Sequence, residues 1–252
     1  MRLGAVTYNV LKDWDIEKII TTLGDLGYEA VELRTTHKHG VEPSMGKEDR
    51  LRVRRRFEAG KVRLLSYGTV CEFHSPDAGE RARQTVLAKD FVVLAHDTGA
   101  LGVKVRPNGL PKEVPRETTI ANIGACLREV AEFGAGYGVE IWMEVHGAET
   151  QIPSVSAAIL KAADHPNAGA CWNSNPTDVV NGSVKSSFEL LRRHIKNVHI
   201  TELADPKYPW RELFTLLKSS GYDRYTLCEV QESPEPERFL RYYKALWNEL
   251  VR

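Results

Sequence analysis

The sequence predicts an α/β protein, a single (β/α)8 TIM barrel occupying residues 1–252. Short apolar runs alternate with longer helical patterns along the whole chain, and eight such pairs can be counted. No Gly/Ser-rich linker interrupts them. The 252-residue length fits one barrel of about 250 residues, and 42% hydrophobic residues can fill its core. Two smaller domains would fit the length equally well, so the unbroken alternation decides.

In order, the first strand is Leu3–Tyr8. Asp15 then caps a helix, and Gly27 closes it from the C′ position. The second strand is Ala30–Leu33, and a polar loop with His37 and His39 leads into a charged helix over Lys47–Ala59. Val62–Tyr67 is the third strand. Ser75-Pro76 opens a long helix to about Thr98, with the proline where its missing N–H costs nothing. Leu101–Arg106 is the fourth strand, Pro115 starts a helix ending near Gly136–Gly138, and Val139–Val145 is the fifth. A helix over Pro153–Ala163 and the strand Ala168–Trp172 make the sixth unit. The seventh has a helix around Ser187–His194 and the strand Ile195–Ile200. Trp210–Ser219, Arg224–Val230 and a closing helix near Pro236–Leu250 complete the set. An open doubly wound sheet would usually carry a glycine-rich phosphate turn after the first strand, and TYNVLKDW has none.

Composition narrows the function. The 34 basic and 34 acidic side chains cancel, so no global field draws the chain to nucleic acid or an anionic membrane. No apolar run reaches the roughly 18 residues a membrane span needs. The start, MRLGAVTYN, lacks a signal-peptide core. Cys71, Cys126, Cys171 and Cys228 are scattered without a CxxC pair, which argues against a zinc knuckle or a disulfide framework. The expectation is a cytoplasmic protein with free thiols and a small-molecule partner. A homo-oligomer stays open, because LRRHIKN and RYYKALWNELV suit either an interface or a solvent-facing surface.

The stretch IWMEVHG carries the first chemical signal. With a period of two, Ile141, Met143 and Val145 share one face, and Trp142, Glu144 and His146 share the other. A carboxylate at the end of a core strand needs a cation or a metal. The same pattern recurs. Val31 and Leu33 oppose Glu32 and Arg34, and Val103 and Val105 oppose Lys104 and Arg106. Ala170 and Trp172 oppose Cys171 and Asn173, with Asn175 just beyond. Val198 and Ile200 oppose Asn197 and His199. Glu229 shares parity with Tyr225 and Leu227, and Thr7 and Asn9 finish the first strand. Polar groups thus collect at the C-terminal strand ends, where barrel enzymes build their sites. Glu144, Asn173, His199 and Glu229 fall about one strand–helix unit apart. Their mixed O/N donors suit Mn²⁺, Mg²⁺, Co²⁺ or Zn²⁺.

RLGAVTYN, GYEAVELR and the HSPD–helix–LAHDTGALGVKVRPNG run, followed by IWMEVHG, AGACWNSNP, IKNVHITEL and YTLCEV, resemble the xylose isomerase-like barrel superfamily. That is the sugar-phosphate isomerase/epimerase group, which also includes endonuclease IV-type enzymes. The resemblance covers essentially the whole chain. It implies a divalent metal held, as in sugar epimerases of the group, by a Glu, an Asp, a His and a second Glu on strands five to eight. These positions map onto Glu144, Asn173, His199 and Glu229. Asn173 therefore stands where the family has Asp, and its amide oxygen can ligate a hard cation but brings no charge.

The resemblance further implies isomerisation or epimerisation of a sugar or sugar phosphate through an enediolate, with Glu144 and Glu229 as the acid/base pair. The same apparatus suits β-elimination or hydrolysis of keto-sugar glycosides. Asn173 also leaves open a non-catalytic sugar-binding barrel. An abasic-site endonuclease would need three metals, more ligands and a basic surface, and the sequence offers none of these. Substrate contacts are expected from Glu32, His37, His39, Lys104, Arg106, His146 and Asn175. Lys104 and Arg106 suit a carboxylate, a phosphate or an enolate oxygen, unless they pair with Glu32 and Glu144.

Overall fold

The computed structural model describes Met1–Arg252. Its elements are β1 (Arg2–Asn9), α1 (Ile16–Asp25), β2 (Ala30–Arg34), α2 (Lys47–Ala59), β3 (Arg63–Glu72), α3 (Ala78–Thr98), β4 (Gly102–Arg106) and α4 (Arg116–Tyr137). The second half continues with β5 (Glu140–Glu144), α5 (Pro153–Ala163), β6 (Ala168–Asn173), α6 (Lys185–Leu191), β7 (Ile195–Ile200), α7 (Trp210–Ser219), β8 (Tyr225–Val230) and α8 (Pro236–Leu250). The strands pair in parallel in chain order, and β8 returns to β1 to close the barrel. This is the (β/α)8 architecture the alternation predicts. No helix is long and apolar enough to cross a membrane. All four cysteines are buried and unpaired.

Local chemistry sets the element ends. Asp15 accepts a hydrogen bond from the Lys18 amide at 2.9 Å, which caps α1. Three elements differ from expectation by more than one residue. Asp77 caps α3 by accepting from the Glu80 amide at 2.7 Å, so the helix starts at Ala78 and not at Ser75-Pro76. The third strand runs past Tyr67 to Glu72. There Thr69 Oγ1 donates to the Lys104 carbonyl at 2.7 Å, keeping a segment that begins with Gly68 on the sheet. Finally, α6 spans Lys185–Leu191, short of His194, and a 3-10 turn at Pro176–Asp178 precedes it.

Strand parity divides the buried side chains into two layers. Ile141, Met143 and Val145 belong to the 60-residue core between strands and helices. Val6, Ala30, Leu65, Trp142, Cys171, Tyr225 and Leu227 form a separate cluster of 7 inside the barrel. Trp142 occupies space that Gly102 leaves free, since a Cβ at 102 would stand 2.6 Å from the indole. Its Nε1 donates to Glu140 Oε2 at 2.8 Å, and Arg224 pairs with the same carboxylate at 2.5 Å. This plug closes the N-terminal end, so the cleft opens at the C-terminal strand ends.

The first strand is the exception to the parity reading. Leu3 and Ala5 face the outer core and Val6 the lumen, so the residue that reaches the mouth is Tyr8 and not Thr7 or Asn9. LGAVTY is largely apolar on both parities, and hydropathy alone could not orient it.

Candidate active site

At the ends of β5, β7 and β8, Glu144, His199 and Glu229 bring donor atoms within 4.8 Å of one another. His199 Nδ1 stands 3.6 Å from Glu144 Oε1 and 3.3 Å from Glu229 Oε2. Strand pairing sets Asn173 directly across from His199. The Asn173 Oδ1 is buried without a hydrogen-bond partner, and its amide nitrogen lies 3.5 Å from Glu144 Oε1. Neither His199 ring nitrogen makes a well-formed hydrogen bond. Buried polar atoms left in this state beside two carboxylates are what a cation-binding site looks like when its donors are already gathered. The donor set fits a divalent ion on that ground.

The charges around it are strongly coupled. Burial opposes ionisation of Glu144, yet Lys104 Nζ at 2.7 Å, followed by His199, holds its carboxyl well below the usual range. Burial likewise opposes the Lys104 cation, and Glu144 and then Glu32 keep it charged. For His199, burial favours the neutral ring, but Cys171, Glu229 and Glu32 together raise its pKa well above the ordinary value.

Glu32 does not reach the cleft. It is wholly buried beneath His199, with Oε1 at 3.2 Å from His199 Nε2. Its Oε2 accepts from Ser66 Oγ at 2.7 Å and from Asn197 Nδ2 at 3.4 Å. The expected substrate contact is therefore corrected: Glu32 lies one layer too deep, and it holds the imidazole with Nδ1 turned toward Glu144 and Glu229. Gly68 makes room for it, because a Cβ there would come within 2.7 Å of Glu32 Oε1.

Above this layer lies a cleft of about 340 Å³. Lys104, Arg106, His146 and Asn175 line it, together with Tyr8, Arg34, Gln151 and Gln231, which the sequence had not singled out as site residues. Arg106 pairs with Glu72 at 2.6 Å, not with Glu32. His146 Nδ1 lies 3.1 Å from Asn108 Oδ1. Asn175 Nδ2 donates to the carbonyls of Val145 at 2.7 Å and Asn173 at 2.9 Å.

The two loop histidines stand back from the cleft wall, contrary to expectation. His39 Nε2 donates to the Arg34 carbonyl at 2.8 Å and Nδ1 accepts from the Val41 amide at 3.0 Å, so both nitrogens are committed to the loop. His37 Nδ1 bonds Thr7 Oγ1 at 2.9 Å, and its ring stacks on Tyr8. Burial, and then the neighbouring His39 and Arg34, push His37 down to about 4 and keep it neutral.

A further buried group braces the cleft. Asp178 Oδ2 accepts from the Asn175 amide and from the Tyr208 hydroxyl, each at 2.8 Å. Burial pushes its carboxyl from 3.8 up to about 7. A raised acid stabilises the fold fully below its unfolded pKa, and that contribution is lost as pH rises through the folded value. Relative to the parent, Asp178→Asn is thus expected to be about 2–3 kcal/mol more stable at pH 8 than it is at pH 5. Urea unfolding of both proteins at the two pH values measures this, and a pH-independent difference would contradict a neutral buried carboxyl.

Fold and site together define a class: a closed parallel barrel with a carboxylate–imidazole cluster at its C-terminal mouth. The chain belongs to the xylose isomerase-like TIM barrel family, whose model matches residues 20–246. Among solved structures it is similar to D-psicose 3-epimerase from Clostridium cellulolyticum H10, with 14% identity, TM-score 0.85 and complete coverage of both chains. It is similar to L-ribulose 3-epimerase at 16% identity and TM-score 0.83, over 99% of this chain and 94% of that one. The IolI protein, described with a binding zinc atom, aligns at 15% identity and TM-score 0.80 over 100% of this chain and 98% of its own. No curated protein gives a significant match to the sequence.

Proposed function

We propose that this protein is a divalent-metal-dependent sugar isomerase or epimerase. The observation that carries the reading is the convergence of Glu144, His199 and Glu229 within 4.8 Å at the floor of an open polar cleft. The family membership and the sugar epimerases among its structural neighbours support it. Glu144, Asn173, His199 and Glu229 would hold the ion. When bound, a divalent cation supplies polarisation of the carbonyl and hydroxyl oxygens of a keto sugar.

The protein's own groups do the rest. One carboxylate of the Glu144/Glu229 pair takes the proton from the carbon beside the carbonyl, and the other returns a proton at the opposite face or the neighbouring carbon. Lys104 keeps Glu144 ionised and so ready to accept. Asn175 and His146 on the wall orient substrate hydroxyls.

The test is deuterium wash-in from solvent into a ketose. Glu144→Gln and Glu229→Gln are each expected to slow exchange by about 10²–10⁴-fold. Full exchange in both variants would remove them as the acid/base pair. Protein that carries no metal and is not activated by Mn²⁺ or Mg²⁺ would be a sugar binder instead.

A further inference from the structure

The geometry points to a substrate that carries one carboxylate, received by Arg34 with Arg106 at the β2–β4 side of the cleft. The inference rests on the reading of this cleft as a keto-sugar site, and it names the class of sugar.

Three cations line the cleft, and two already have partners. Lys104 is bound to Glu144 at 2.7 Å and Arg106 to Glu72 at 2.6 Å. Arg34 pairs with no carboxylate. Its one hydrogen bond goes from Nη1 to the neighbouring Thr35 carbonyl at 3.2 Å, and its guanidinium lies 5.9 Å from the Tyr8 ring centre. The Arg106 Nε is buried without a hydrogen-bond partner even though Nη2 holds Glu72. So the cleft presents one guanidinium, Arg34, whose Nε and Nη2 have no partner in the protein, beside a second that is already paired. The buried Arg106 Nε is costly unless something accepts from it, while Arg34 is part-exposed and free to meet a ligand.

Position reinforces the charge argument. Arg34 ends β2 and Arg106 ends β4, flanking β3, where Arg34 pairs in register with Gly68 and Arg106 with Glu72. Burial, and next the charge of Arg106, disfavour the Arg34 cation, a repulsion that a shared anion would relieve. The reactive carboxylates end β5, the neighbour of β4, and β8, the strand opposite β4 in the barrel. A small sugar laid across 340 Å³ would present its reacting carbons to Glu144 and Glu229 and its far end to the arginines. The planar guanidinium fork matches a carboxylate in two parallel bonds. A phosphate monoester brings about −1.5 to −2 charges, more than the single unpaired cation balances.

Three ketoses with one carbon skeleton test this: D-fructose, D-fructuronate and D-fructose 6-phosphate, which differ in the group at C6. Calorimetric titration of Mn²⁺-supplemented protein should show D-fructuronate binding at least tenfold more tightly than D-fructose, and more tightly than the phosphate. Arg34→Gln should weaken D-fructuronate at least tenfold more than it weakens D-fructose, and Arg34→Lys should fall between. Three outcomes would overturn the proposal: equal affinity for the acid and the neutral sugar, a phosphate that binds as well as the acid, or an acid preference that survives in R34Q. Because the readout is binding, acid-selective binding without deuterium exchange would sink the isomerase reading and leave this one standing.

Discussion

Replacing Lys104 with methionine is expected to destabilise the protein by about 3–5 kcal/mol. Methionine keeps the length and apolar stem of lysine, so the change is chiefly the loss of an ammonium. Lys104 and Glu144 are each 4% exposed and 2.7 Å apart. Removing one partner of such a pair leaves a desolvated carboxylate with His199 at 3.6 Å and the Asn173 amide at 3.5 Å to answer it. A pair deleted together is a different matter, since an apolar or neutral replacement of both is often close to neutral. Lys104→Met combined with Glu144→Gln should therefore recover most of the loss. Urea unfolding of the parent, both single variants and the double variant, all after chelator treatment so that no bound cation substitutes for the ammonium, gives the coupling. A single variant within 1 kcal/mol of the parent, or a double variant no better than Lys104→Met, would show that the pair is not the anchor of the mouth.

The sequence carried the barrel and the heart of the site because both rest on period-two patterning. Glu144, Asn173, His199 and Glu229 each follow an apolar strand on the inward parity, and that parity survives folding intact. Depth along the strand is less legible. Glu32 and Arg34 share a parity and differ by one step, yet the first is sealed under His199 and the second lines the cleft. Barrel register decides which layer each joins, and one shift between β2 and β3 falls at Val31/Glu32. Partnership across strands is hidden as well. Glu72 claims Arg106 because the third strand continues past Tyr67 to Glu72. In the THKHG loop, two histidines two residues apart resemble a pair of substrate contacts. The loop's own unmet backbone groups take both nitrogens of His39, and composition gives no sign of that.

Replacing Glu32 with glutamine should weaken binding of Mn²⁺ or Co²⁺ about tenfold or more without touching the cleft. Glu32 meets no ligand directly. It lies 3.2 Å from His199 Nε2, on the far side of the ring from the Nδ1 that faces Glu144 and Glu229. A carboxylate there fixes which nitrogen carries the proton and raises the basicity of the other. Glutamine keeps the shape and can still accept from Ser66, so what disappears is the charge behind the imidazole. Competition with a chromophoric chelator reads the affinity, and thermal unfolding checks that the core has held. An affinity within twofold of the parent would show that Glu32 only fills space. The same titration bears on Asn173. With an amide in place of a carboxylate, the ion depends more on each remaining charge. A cluster one charge short should therefore be unusually sensitive to the carboxylate behind its histidine. In a pocket that takes sugar without a cation, parent and variant alike would leave the chelator saturated.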